Sequence, residues 1–137
     1  LLLKKEIKMY NFNRASKQSG ASMWGLIGGS ALVILFAMIT MKLVPAYLDN
    51  NKVVSALDSL AETPGAAQMS RRQVLDKIDN TLYIDMASDL LDLNEALTIT
   101  KTKNTKVFSI DYERVIPMAY NISALLYFEN SVEVSLK

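Results

Sequence analysis

Residues 20–41, GASMWGLIGGSALVILFAMITM, form a run of 22 without one charged side chain. At about 1.5 Å per residue, a helix of that length crosses a hydrocarbon core of about 30 Å. Three readings compete for the run: a permanent transmembrane helix, a cleaved signal peptide, and a buried core helix. Residues Val44, Pro45 and Ala46 would supply a small-residue cleavage site, but a signal-peptide hydrophobic region is usually about 7–15 residues. A buried helix does not call for the basic flank that precedes this run. The transmembrane helix is the expectation, and the remaining chain is read from either side of it.

Charge divides at the same place. Residues 1–17 hold Lys4, Lys5, Lys8, Arg14 and Lys17 against Glu6, a net of +4. Residues 42–137 hold the other ten bases and thirteen acids, a net of −3. Basic loops stay on the cytoplasmic side, so the N-terminus is expected there and the C-terminal domain across a bacterial inner membrane, in the periplasm. The expected division is a basic tail over 1–19, the span over 20–42 and a periplasmic α+β domain over 43–137. Met9 is the expected initiator, with residues 1–8 as an extension ahead of it. The near-neutral balance of 15 bases and 14 acids argues against a nucleic-acid partner.

Within the span, Ala21, Gly25 and Gly29 recur every fourth residue, with Gly28 and Ser30 beside them. Small residues at this spacing let two membrane helices approach closely. They form a candidate contact face for a second copy or for another membrane or envelope protein. Trp24 stands near the cytoplasmic interface, and Lys42 marks the far one, where its amine can snorkel outward. Pro45 removes a backbone donor and is expected to kink or interrupt the helix. Beyond it, Tyr47, Val54, Leu57, Leu60 and Ala61 share a helical face, so an amphipathic helix is expected to about Ala61. Thr63, Pro64 and Gly65 stop it.

Ser70 with Gln73 is a capping-box pattern, and Val74, Leu75, Ile78 and Leu82 supply an apolar stripe, so a second helix is expected over 71–82. Arg71 and Arg72 in its first turn oppose the helix dipole, which suits a solvated end better than a basic contact site. Residues 83–95 are acidic; in a helix Asp85, Asp89, Asp92 and Glu95 would form one stripe. They lack the glycine and alternating oxygen donors of a calcium loop, and a solvated face is the better account.

The last third alternates as β-strands do: residues 96–102, 107–116 and 121–136. Three residues break the pattern. Arg114 falls on the apolar face, Asn130 interrupts it, suggesting a bulge, and Pro117 is expected to end pairing. Arg114 is expected near an edge with its guanidinium outward. The fold class is therefore α+β: a transmembrane helix continuing into an amphipathic one, a second short helix, then a three-stranded antiparallel meander.

No catalytic constellation emerges. The chain has no histidine and no cysteine, so Ser-His-Asp and Cys-His chemistry are both excluded. Ser55 and Lys52 lie one helical turn apart as a conceivable Ser-Lys dyad, without a pocket implied around them. Asp111 and Glu113 sit on the wet side of a strand. No cofactor and no metal site is expected.

Two resemblances accompany these readings. The layout of basic leader, Gly20, apolar helix, amphipathic continuation and antiparallel sheet resembles a type IV pilin or pseudopilin. That family carries Glu at the fifth position after the cleaved Gly, where this chain has Gly25. A nearer resemblance rests on Gln18, Ser19, Gly20, Ala21 and Ser22, on residues 42–49 (KLVPAYLD), on Ser55, Ala56 and Leu57, and on Tyr112, Glu113, Pro117 and Asn121. It covers about residues 16–136 and is to the family called domain of unknown function 4845, small single-pass proteins of the proteobacterial inner membrane. That resemblance implies a Gram-negative inner-membrane protein, often encoded beside signal peptidase I, and implies no activity. The expected function is a non-enzymatic envelope interaction or accessory protein. A pilin-like component of a filament or secretion machine is the alternative, and a periplasmic hydrolase the remote one.

Overall fold

The computed structural model describes residues 22–136. Ala21, the basic tail and the Met9 start lie outside the described residues. One helix, α1 (Met23–Ala61), takes up 39 residues, about 58 Å at 1.5 Å per residue. A 3-10 turn (Ala66–Gln68) leads to α2 (Arg71–Ile84), a second 3-10 turn (Ser88–Leu90) and a single-turn helix α3 (Leu93–Ala96). Strands β1 (Leu97–Lys101), β2 (Thr105–Ala119) and β3 (Ile122–Ser135) then form an antiparallel meander in the order β1-β2-β3.

The two halves of α1 differ in what surrounds them. The N-terminal half is apolar on every side and exposed; its most hydrophobic 18-residue window has mean hydropathy 2.1 and none of it is buried. By length and composition this helix can cross a membrane. The C-terminal half buries Ala46, Val53, Ala56, Leu57 and Leu60. The expected stripe shares Leu57 and Leu60 with this set but is rotated from it. Tyr47 is 53% exposed, while Ala46 and Ala56 face inward. Two alanines on the packing face let the helix lie close against the sheet, a role that a search for large apolar residues overlooks. The helix runs unbroken through Pro45, losing only the hydrogen bond that its missing N–H would give to the carbonyl of Met41.

Helix α2 starts on the expected capping box. Gln73 Oε1 accepts from the Ser70 amide at 2.8 Å, and Ser70 Oγ accepts from the Gln73 amide at 3.4 Å. Its Val74, Ile78 and Leu82, spaced by four, are fully buried against the α1–sheet core. The acidic segment is not one helix. Asp85 ends α2, Met86 takes a left-handed conformation (φ 54°), Asp89 lies in the 3-10 turn, and Asp92 caps α3 by accepting from the Asn94 amide at 2.9 Å. The four carboxylates are therefore dispersed over three local structures rather than aligned.

The sheet buries the even-numbered side of β2. Phe108, Ile110 and Tyr112 pair with Val132, Asn130 and Phe128 of β3, and Phe108 and Ile110 with Ile99 and Leu97 of β1. All three expected exceptions are corrected, two of them by the strand pairing and Arg114 by its ion pair with Asp49 on α1. Pro117 does not end pairing: it is paired with Ser123, and the register shifts only between Pro117 and Ala119. Strand β1 covers β2 only from Lys106 to Ile110, so beyond that point β2 has one open edge, where a proline is tolerated. Asn130 sits in regular register opposite Ile110, with no bulge.

Candidate functional site

Arg114, Asn130 and the Tyr112 hydroxyl, polar groups on the sheet's apolar face, meet α1. Asn50 Oδ1 accepts from Asn130 Nδ2 at 2.9 Å and from the Tyr112 hydroxyl at 3.2 Å, and Asn50 Nδ2 donates to Asn130 Oδ1 at 3.4 Å. At the adjacent helix position, Asp49 Oδ2 accepts from Arg114 at 2.9 Å and Asp49 Oδ1 from Lys52 at 3.1 Å. Arg114 is thus turned toward the helix rather than outward. A polar side chain on a buried face must find a partner or pay its desolvation, and here each finds one on the helix that covers it. Among the described residues every buried side-chain nitrogen and oxygen has a partner.

Burial disfavours the ionised Asp49 carboxylate, but hydrogen bonds and charge from Lys52 and Arg114 outweigh it and hold its pKa below the ordinary 3.8. Burial, partly offset by Arg114, raises the Tyr112 phenol, so it remains a protonated donor to Asn50. Beside this clasp the Tyr47 ring meets Phe128 edge-on at 5.5 Å, and Phe128 meets Tyr112 at 5.3 Å.

Three further cations tie loops to the core through backbone carbonyls. Arg71 donates to the Asn94 carbonyl at 2.8 Å and the Leu97 carbonyl at 2.9 Å, closing the end of α3. Lys106 donates to the carbonyls of Met69 at 2.7 Å and Ala67 at 3.3 Å. Lys42 donates to the Pro117 carbonyl at 2.8 Å and also to that of Met118. Arg71 is thus exposed at the start of α2 but tied to the end of α3 through two carbonyls. Lys42, expected to reach outward from the span, is held by the far end of the β2–β3 hairpin.

Chemistry is not assembled at the places where it was sought. Ser55 Oγ donates to the Asn51 carbonyl at 2.9 Å while Lys52 binds Asp49, so the two are engaged separately and make no dyad. A shallow depression beside α2 is lined by Arg72, Asp76, Asp79, Asp89 and Asp92. Among the described residues no three acidic groups converge as a metal site would need. Asp111 stands opposite Glu129 across the outer face of the sheet.

The small-residue face of the span is open. A Cβ placed on Gly25, Gly28 or Gly29 would meet nothing within 4 Å. Gly25 and Gly29 border a shallow groove with Leu26, Ser30, Val33 and Ile34. Ala21, the third residue of that face, lies outside the described residues. Pro45 stands 16 residues beyond Gly29, in the half of α1 that enters the domain.

Sequence reasoning had noticed Arg114 and Asn130 only as irregularities, and had not connected either to Asp49 or Asn50. The available signal was the coincidence of two polar residues on an apolar strand face with two consecutive polar residues on the covering helix. No curated protein and no solved structure matches this chain. A family model does match, over residues 42–128, a stretch that begins at Lys42 and takes in the hairpin that holds Lys42 and the α1–sheet clasp apart from Asn130. By that match the chain belongs to the family described as Domain of unknown function (DUF4845).

Proposed function

We propose that the protein is a single-pass protein of the bacterial inner membrane that acts by contact with other membrane or envelope proteins and catalyses no reaction. On this reading residues 1–19 are cytoplasmic, residues 20–42 span the bilayer, and residues 43–137 are a periplasmic domain. The observation that carries it is the exposed apolar half of α1 with its open face at Gly25 and Gly29. A helix half with no packing partner among the described residues, and with room for a neighbouring backbone, suits association within the bilayer. The +4 charge of residues 1–17 supports the orientation. The separate engagement of Ser55 and Lys52 supports a non-enzymatic role.

The pilin-like alternative is favoured by one observation, the amphipathic half of α1 lying across a three-stranded antiparallel sheet. Crosslinking in native membranes separates the two. The wild-type chain is expected to give one or two discrete adducts, and Gly25→Leu combined with Gly29→Leu is expected to abolish them. A long ladder of self-adducts would favour the filament reading, and adducts unchanged by the double substitution would remove the helix face as the contact.

A further inference from the structure

The end of the β2–β3 hairpin lies beside the place where α1 changes from uncharged to charged. Lys42 is the first charged residue after the apolar run, and its Nζ is bound by the carbonyls of Pro117 and Met118. These carbonyls therefore lie within the reach of one lysine side chain from the Lys42 backbone. The same face of α1 is withdrawn from solvent one turn deeper. Ile39, Lys42 and Leu43 are half-buried and Ala46 is buried, at helical spacing, while Met38 and Met41 beside them are exposed. Ile39 belongs to the apolar run itself, so the covered face of the domain overlaps the span by a turn.

The chemistry of the hairpin end matches that level. Residues 115–128 carry no charge, whereas Glu113, Arg114 and Glu129 bound them. Along the two strands, acids occupy the part remote from the span and apolar groups the part beside it. Tyr120 is fully exposed, and Ile122, Leu125, Val115 and Tyr127 are each more than half exposed. Tyr120 and Asn121 form the two-residue loop between the paired Ala119 and Ile122. Tyr120 takes φ 52° at the first loop position, a place where glycine is ordinarily found. An aromatic at a position that local geometry reserves for glycine breaks a local rule, and such breaks mark sites that serve something other than the turn.

We propose that this hairpin end is a second membrane contact. Tyr120 and Ile122 seat in the headgroup region of the leaflet from which α1 emerges, with the Tyr120 ring in the apolar boundary and its hydroxyl toward water. The domain is then held against the bilayer at two places, the helix and the hairpin, and its rotation about α1 is restricted. The occupant is the lipid surface because the hairpin end is continuous in height with the uncharged helix. The proposal rests on α1 spanning the membrane, and the test separates the two.

The chain has one tryptophan, Trp24, inside the span. In full-length protein reconstituted into phosphatidylcholine–phosphatidylglycerol vesicles, Trp24 fluorescence quenched by brominated acyl chains supports the span. In a Trp24→Phe background, Tyr120→Trp is expected to be quenched by lipids brominated near the headgroup, to shift its emission to the blue and to resist aqueous iodide. Tyr83→Trp in the same background, on exposed α2, is expected to behave oppositely. If Trp24 is quenched by brominated lipid while Tyr120→Trp is quenched only by iodide, the hairpin contact is overturned and the span stands. A Tyr120→Trp signal protected from both quenchers means a second copy covers the hairpin, which also overturns the proposal. If Trp24 itself escapes brominated lipid, the spanning reading and the hairpin contact built on it both fall.

Discussion

Replacing Phe108 with alanine is expected to destabilise the domain by about 3–5 kcal/mol, the usual cost of deleting a buried phenyl ring. Phe108 is the largest of the fully buried side chains. It lies on the central strand, paired with Ile99 on one side and Val132 on the other, with the stripe of α1 and the stripe of α2 in the same core. The neighbours that would have to collapse into the vacated space belong to a helix anchored by the Asn50 clasp and to a sheet fixed in register on both sides. Little relaxation is available, so the cost belongs toward the upper part of that range. Against a total stability of about 5–15 kcal/mol, this takes a large share of the folded state's margin. Urea unfolding of the full chain in detergent micelles, followed by circular dichroism, reads it as a lower midpoint with an unchanged slope. A loss below about 1 kcal/mol would mean that Phe108 is not at the centre of the core.

Asn50→Ala is expected to cost about 2–3 kcal/mol, although asparagine is not a core residue in the ordinary sense. Its carbonyl oxygen accepts from both the Tyr112 hydroxyl and the Asn130 amide. Truncation therefore leaves two part-buried donors without their acceptor, and the penalty is their desolvation rather than the loss of one contact. The same physics predicts an asymmetry. Asn50→Leu with Asn130→Leu removes both amides and replaces them with apolar bulk, leaving only Tyr112 to find water. That double variant is expected to be more stable than Asn50→Ala, despite carrying more substitutions. Equal losses in the two would show that the clasp contributes packing and not hydrogen bonding.

Element type was legible wherever a period was sustained. Strand alternation through residues 107–116 and the capping box at Ser70 and Gln73 needed no tertiary information, because both are local. The stop at Thr63, Pro64 and Gly65 was legible for the same reason: α1 ends at Ala61 and Gly65 adopts φ 82°. What escaped was set by distant partners. The partners of the Lys42 amine were not legible because its acceptors lie 75 and 76 residues away. Arg114 and Asn130 looked like faults in a strand because their partners are on α1. Pro117 looked like a terminator because sequence alone does not say which edge of a strand is open. The inward stripe of α1 was misplaced by a small rotation, since Ala46 and Ala56 weigh little on a hydropathy count but pack closest. The candidate contact face at Gly25 and Gly29 was visible as a spacing, and among the described residues nothing lies against it.

The two halves of α1 make one continuous helix, of which only the second is buried in the folded domain. Past its first turn, its first half pairs its backbone groups along the helix, as a membrane-crossing helix must. Its second half forms one wall of a core closed by α2 and the sheet. Pro45 falls between them, where one hydrogen bond can be lost without ending the helix. On the proposed reading, a continuous helix of this kind carries the position of the span directly to the domain.

That account depends most on the helix passing through the membrane with its basic end inside. The chain has no cysteine, so a single introduced thiol reports its own compartment. A membrane-impermeant maleimide applied to spheroplasts is expected to label Glu62→Cys, just past the end of α1, before lysis, and Ser16→Cys only after lysis. Labelling of Ser16→Cys in intact spheroplasts, alone or together with Glu62→Cys, would contradict it.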